Sequence, residues 1–443
     1  MPLRCLLRRS LLPLVLTLTG PIWSLPAQAQ LRPNPPAFPR LAQLGDLNPT
    51  SPGALRVGCP YQTNTAQERN TGFLDSNASY AIAQIPLSLP DGASIRIEGS
   101  YAQVRYFSLQ SYDGARAGNY IDALADGRLI ALDGATSGAN IAALPQDGRY
   151  GGRYTVRLRY EAPPARPEDR APNTLYVGAP SNRISPTRVA KQVVYRIYLP
   201  NPDTDFLGNT PLPRIIYSGP DGGEVDFDNT PDQAQCERIR TASTTTRTIN
   251  PAVFPGRNIQ FVPISQTQDS VLYPNGDANY LRAASSLTHG QVVVIRSRRM
   301  KTPLLPPAIT GAEETRYWSL CHYELGSSAV VHCLADREIV TQDDGFDLFV
   351  ISPAANRPSR ATAAYKVNWL EWGPTRSELI VLRQLLSRPD FEGNYALAVA
   401  NPDAPVSQTL GRYAPEVSYC DAATFDAVAG SGSAAILAAC QAR

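Results

Sequence analysis

Arg105-Tyr106-Phe107-Ser108-Leu109-Gln110 and Arg316-Tyr317-Trp318-Ser319-Leu320-Cys321 read as one strand written twice. Their flanks repeat in the same order. Ala78-Ser79-Tyr80-Ala81-Ile82-Ala83 precedes the first copy and Ala278-Asn279-Tyr280-Leu281-Arg282-Ala283 the second, followed by Ser94-Ile95-Arg96-Ile97 and Val292-Val293-Val294-Ile295-Arg296. Downstream, Asp147-Gly148-Arg149-Tyr150 matches Asp344-Gly345-Phe346, Asn173-Thr174-Leu175 matches Asn368-Trp369-Leu370, and Val193-Val194-Tyr195-Arg196 matches Ile380-Val381-Leu382-Arg383. Six ordered matches predict a duplicated domain of roughly 150 to 180 residues.

The segments between these landmarks are short and β-like. Tyr154 to Tyr160, Val194 to Leu199 and Phe346 to Ile351 alternate or run apolar over a few residues, bounded by Gly, Pro, Asn and Asp. With 40 prolines and 31 glycines as punctuation, they predict an all-β pair of sandwiches. Helical pattern is confined to Arg376–Leu386, where it competes with a strand, and to an Ala-rich tail at 421–442. The expected order is a signal peptide at 1–29, a Pro-rich arm at 30–54, a first module at 55–218, a linker at 219–249, a second module at 250–412 and a tail at 413–443.

The leader reading rests on Arg4, Arg8 and Arg9, an apolar run from Leu11 to Thr19, and Ala27-Gln28-Ala29 as a small-x-small cleavage site. No later stretch reaches the run of about 18 apolar residues needed to cross a bilayer, so an exported, soluble product is expected, periplasmic or extracellular. Without the three leader arginines the 41 basic residues fall to 38 against 39 acidic ones. That balance carries no electrostatic footprint for nucleic acid or an anionic membrane.

Six cysteines follow the leader: Cys59, Cys236, Cys321, Cys333, Cys420 and Cys440. An even count in an exported chain favours disulfides, and no C-x-x-C spacing supports zinc. Six cysteines allow 15 connectivities. Folding a hairpin about Ser327 sets Cys321 opposite Cys333, at the short separation a disulfide needs. Cys420 with Cys440 then closes the tail and leaves Cys59 with Cys236.

The second repeat, with Tyr317-Trp318-Ser319-Leu320, Asp344-Gly345, Asn368-Trp369-Leu370, Gly373-Pro374 and Leu379 to Arg383, resembles the bacterial domain of unknown function 1214. The first resembles it through Tyr106-Phe107-Ser108-Leu109, Asn173-Thr174-Leu175 and Tyr195 to Pro200. The resemblance covers most of the chain after the leader. It implies two tandem jelly-roll-like β-sandwiches with a short C-terminal helical tail, and it brings no settled activity.

Candidate chemistry is sparse. No Gly-x-Ser-x-Gly occurs, which disfavours an α/β hydrolase, and neither a phosphate loop nor a dinucleotide fingerprint is present. Of the three histidines, His289 reads as a turn residue, while the Ser327 hairpin sets His322 opposite His332. Those two, with a carboxylate such as Glu324 or Asp336, form a candidate zinc-type set. Asp221, Glu224, Asp226 and Asp228 form a candidate calcium loop. Strand parity sets Tyr106, Ser108 and Tyr112 in the first repeat, and Tyr317, Ser319 and Tyr323 in the second, on one face; with the recurring Arg105, Arg196, Arg316 and Arg383 they are candidate linings of a polar pocket in each module. The competing reading of the same residues is an ordinary hydrogen-bonded layer.

Three function classes follow. The leading one is an exported, non-catalytic binding or structural module of the bacterial envelope, facing a polymer, protein or small-molecule ligand. The others are a secreted hydrolase of unassigned chemistry and a carrier of a metal or small molecule. No cofactor is called for beyond the calcium or zinc that the two candidate sets would take.

Overall fold

Strand Arg153–Arg159 shows how the sequence makes these sheets. Tyr154, Val156 and Leu158 are buried while Arg153, Arg157 and Arg159 are exposed, the period of two of a sheet with one wet face. Val104–Tyr112 behaves differently: it is buried at every position, so both of its faces are covered. The computed structural model describes residues 59–64 (as backbone), 72–113, 119–132, 152–181, 190–229, 255–265, 273–303 and 312–442. The leader, the Pro-rich arm, Asp147–Tyr150, Cys236 and hence its pairing with Cys59 lie outside them.

The described chain is mostly β, with four sheets and little helix. The first half supplies β1 (Cys59–Asn64), β2 (Ala78–Ile85), β3 (Ser94–Ser100), β4 (Val104–Tyr112), β5 (Tyr120–Ala125), β6 (Arg153–Arg159), β7 (Thr174–Tyr176), β8 (Lys191–Pro200), β9 (Arg214–Ser218) and β10 (Glu224–Asp226). The second supplies β11 (Val262–Pro263), β12 (Ala278–Ser286), β13 (Val292–Arg298), β14 (Tyr317–Glu324), β15 (Val330–Ala335), β16 (Phe346–Ser352), β17 (Val367–Glu371), β18 (Ser377–Leu385) and β19 (Glu416–Cys420).

The sheet orders are β1-β2-β8-β4-β5 with β10-β9-β3-β6-β7, and β11-β12-β18-β14-β15 with β17-β16-β13-β19. Apart from β10, each strand of the first half has a counterpart at the same place in the second. Both halves contain one parallel pair, β6 with β7 and β16 with β17. Register agrees too: Arg196 lies opposite Tyr80 and Ser108, and Arg383 opposite Tyr280 and Ser319. Asn173 exchanges hydrogen bonds with the backbone of Ile130, and Asn368 does the same with Val340. Each half has its own apolar core between its two sheets, one built around Phe107 and Tyr195, the other around Trp318 and Leu382.

Two expectations need correction, and one left open is decided. The 219–249 linker begins too early, because Glu224–Asp226 is β10 and pairs with β9. The Gly-rich run before it is a hairpin turn, closed by Gly219 N–H donating to the Gly223 carbonyl, with Gly222 at a φ of 80° that a side chain would strain. The tail starting at 413 is not an appendage, since its first strand, β19, pairs with β13 where β9 pairs with β3. Arg376–Leu386 is strand β18, held between β12 and β14; burial on both faces removes the polar side that would have marked it as a strand.

The outer faces of the two halves diverge. Over β3, β6 and β9 the face carries Arg96, Arg157 and Arg214, with Arg96 paired to Glu98 and Glu224. Over β13 and β16 the corresponding face is apolar, with Val292, Val294, Leu348 and Val350. Helices Ala422–Val428 and Ser433–Gln441 cover it with Phe425, Ile436 and Leu437. Asp421 caps the first of them by accepting from Thr424 N–H at 2.8 Å.

A disulfide between Cys420 and Cys440 ties the second helix to β19 across a sequence separation of 20. Loop-closure entropy for such a span is about 3 kcal/mol. Replacing both cysteines with serine is expected to loosen the tail helices before the sheets melt. Dye binding to the uncovered Val292 and Leu348 face, and faster amide exchange confined to 416–441, are the readouts.

Asp347 gives the fold a pH dependence. Its buried carboxyl accepts from Thr341 Oγ1 at 2.6 Å and lies 3.7 Å from Arg299 Nη1. Burial raises its pKa to about 6, against the opposing pull of Arg299. An unfolded aspartate titrates near about 3.9, so the folded state holds this proton more tightly. The stability it contributes is full below pH ~4 and is lost as pH rises through 6, by about 3 kcal/mol. Asp347→Asn keeps the acceptor for Thr341 and should flatten that slope in urea unfolding measured from pH 4 to 7.

Candidate functional site: the seam between the two halves

All ten residues read as pocket linings are buried. The reason is geometric. The repeated strands β4 and β14 turn their Tyr, Ser and Arg side chains away from their own cores and toward each other's half. There the space is filled by side chains and by the short segment preceding β2 or β12.

Two crossed ion pairs mark the centre. Arg105 Nη1 donates to Asp336 Oδ2 at 3.0 Å and to the Arg316 carbonyl at 3.2 Å. Arg316 Nη1 donates to both oxygens of Asp126 at 3.1 Å. Asp126 and Asp336 each open a 3-10 turn just after β5 and β15. Burial pushes both carboxyls above their usual range and the arginines pull the other way.

Around this centre each half is plugged by the other. Asp75, from the first half, accepts from Tyr317 Oη at 2.8 Å, Ser319 Oγ at 2.7 Å and Arg383 Nη1 at 2.6 Å. Arg383 also donates to the Phe73 carbonyl. The reciprocal plug is Tyr273 to Asp277. Asp277 accepts from Tyr106 Oη at 2.8 Å, Asn275 Oδ1 accepts from Gln110 Nε2 at 2.6 Å, the Pro274 carbonyl accepts from Tyr112 Oη at 2.7 Å, and the Tyr273 carbonyl accepts from Arg196. Burial raises the pKa of Asp277, with Tyr106 lowering it.

Phe73 and Tyr273 both sit at positive φ, 58° and 46°, in the left-handed region that bulky residues avoid. An apolar cluster joins the two halves here, with Tyr80, Tyr106 and Tyr198 from one and Tyr317, Ala335 and Leu385 from the other. Tyr198 and Tyr317 meet across the seam with ring centroids 5.4 Å apart.

Sequence reasoning missed Asp75, Asp126, Asp277 and Asp336 as partners. A signal was present: Leu124-Ala125-Asp126 and Leu334-Ala335-Asp336 are the same tripeptide at the same place, and Phe73 to Tyr80 tracks Tyr273 to Tyr280.

The hairpin about Ser327 has the anticipated register. Cys321 lies opposite Cys333 and His322 opposite His332, and the two cysteines form a disulfide. The proposed third ligand is misplaced, because Glu324 Oε2 accepts from Ser327 Oγ at 2.5 Å and is held in the turn. The carboxylate beside His322 is instead Glu378, from β18: its Oε2 lies 3.4 Å from His322 Nδ1, and both side chains are 0% exposed. Burial, with His332 nearby, lowers the His322 pKa to about 3. Burial raises that of Glu378 to about 8, with Glu324 adding to the rise. Burial thus disfavours the charged form of both partners, the direction opposite to a buried ion pair. His332 is exposed.

The acidic loop does not gather oxygen atoms. Glu224 is bound bidentately by Arg96, Asp226 pairs with Arg214, and Asp221 accepts from Gly223 N–H in its own turn. Asp228 N–H donates to Asp226 rather than joining a cage. The calcium reading is thus replaced by a charge-paired hairpin edge. Asp75, Cys321 and Cys333 also converge, but both sulfurs are consumed in the disulfide and Asp75 is consumed by the seam.

No family model matches the chain, and no curated protein does. Among solved structures it is similar to an uncharacterized protein from Burkholderia cenocepacia, at 14% identity and a TM-score of 0.46, covering 79% of this chain and 84% of that one. It is also similar to a protein from Vibrio parahaemolyticus, at 10% identity and a TM-score of 0.35, covering 80% and 93%. The class defined by fold and seam is a β-sandwich-like all-β protein with two disulfides and, among the described residues, no helix long and apolar enough to cross a membrane.

Proposed function

We propose that the chain is an exported, non-catalytic binding or structural module of the bacterial envelope, built from two jelly-roll-like copies of one ancestral domain. The observation that carries this reading is the seam. The repeated Arg, Tyr and Ser residues, the best candidates for chemistry in the sequence, hold two sandwiches together as one body. Matched strand order and register support the duplication. Two disulfides are compatible with an oxidising compartment.

A joined pair of sandwiches offers loops and sheet faces to a partner. The test is retention of the purified, oxidised chain on isolated cell-wall sacculi and envelope polysaccharide, alongside fractionation of the producing cell. Saturable retention and recovery outside the cytoplasm support the reading. Recovery from the cytoplasm with reduced cysteines would overturn it.

A further inference from the structure

Arg282, on β12, is a buried cation that the seam does not use. It is 7% exposed, its Nε is buried without a hydrogen bond, and no carboxylate of the described residues pairs with it. Burial alone depresses its pKa, whereas at Arg105 the partner Asp336 opposes that effect. Register places Arg282 opposite Val262 on the edge strand β11 and Val381 on β18, and strand alternation sets Ala284 on the same face. Val381, Ala284 and Leu379 belong to one apolar cluster, with Ile264 packed against it. An unpaired charge in such surroundings is strongly unfavourable. The fold itself does not require it. The equivalent position in the first half is Ile82, which faces Val194 as Arg282 faces Val381.

We propose that Arg282 anchors a binding site for a carboxylate carried on an apolar body, such as a medium-chain acyl group. A guanidinium holds a carboxylate through two parallel hydrogen bonds and neutralises it one for one. The neighbouring Val, Ala and Leu side chains suit an apolar chain, and they offer a hydrated dianion nothing beyond the single cation. The approach lies at the sheet edge, where β11 is two residues long and Val262 and Ile264 are half-buried. This ligand goes beyond the envelope reading and stands whether or not the chain is retained on a polymer.

The test uses the full oxidised chain, titrated with octanoate in a calorimeter, with urea midpoints measured in its presence and absence. Octanoate is expected to bind saturably and to raise the midpoint. Octanol, which lacks the charge, and inorganic phosphate, which lacks the apolar body, should do neither. Arg282→Ile, which restores the side chain of the first half, should weaken octanoate binding about ten- to a hundredfold. It should also raise the midpoint of the ligand-free chain, because it removes an unpaired buried charge. An arginine with a merely structural role would shift that midpoint the other way. No octanoate binding by the natural chain, equal binding of phosphate, unchanged octanoate affinity in Arg282→Ile, or a ligand-free Arg282→Ile chain less stable than the natural one would overturn the proposal.

Discussion

Asp75→Ala is expected to destabilise the whole chain by about 3–5 kcal/mol, the cost of stranding a buried charge. Asp75 is fully buried and neutralises Arg383 while accepting from Tyr317 and Ser319, all in the other half. Truncation leaves an arginine, a phenol and a hydroxyl without their acceptor. Asp75→Asn keeps an acceptor but loses the charge, so it should fall between alanine and the natural residue. Urea unfolding followed by fluorescence of Trp318, Trp369 and Trp372 reads this out in the half that does not contain Asp75. An unchanged midpoint would mean that the plug does not stabilise the second half.

Arg316→Met is expected to cost a similar amount, about 3–5 kcal/mol, because Asp126 would remain charged and buried. Adding Asp126→Asn removes the stranded charge and keeps the oxygen that accepts from Gly127 N–H, so about 2 kcal/mol should return. Asp336→Asn on the same Arg316→Met background should return nothing, since Asp336 serves Arg105. The crossed pattern of rescue distinguishes two specific pairs from a general loss of polar contacts. Additive losses in every combination would contradict it.

The fold was legible where one strand carries its own information. Alternation in Arg153–Arg159, the repeated order of motifs and the hairpin about Ser327 are local, and they fixed strands, register and the Cys321–Cys333 pair. The seam was not legible, because its partners are remote. Arg383 meets Asp75 across 308 residues and Arg105 meets Asp336 across 231.

Parity placed Tyr106, Ser108 and Tyr112 together on a face, but it says nothing about what covers that face. The informative trait was that β4, β8, β14 and β18 lack the exposed charges of a wet sheet, which predicts cover on both sides. Glu378 was missed for the opposite reason: it is one strand over from His322, and only sheet order brings β18 beside β14. The tail was misjudged because an Ala-rich helix pair hid the short strand β19 that precedes it.

The central claim is that the repeated polar residues join the two halves into one cooperative structure. Native-state hydrogen exchange by mass spectrometry, comparing the natural chain with Asp75→Ala, tests it most directly. The account predicts that the substitution lowers protection in β14 and β18 as much as in β2, although Asp75 precedes β2 in sequence. Loss of protection confined to β2 and its immediate neighbours, with β14 and β18 unchanged, would contradict it.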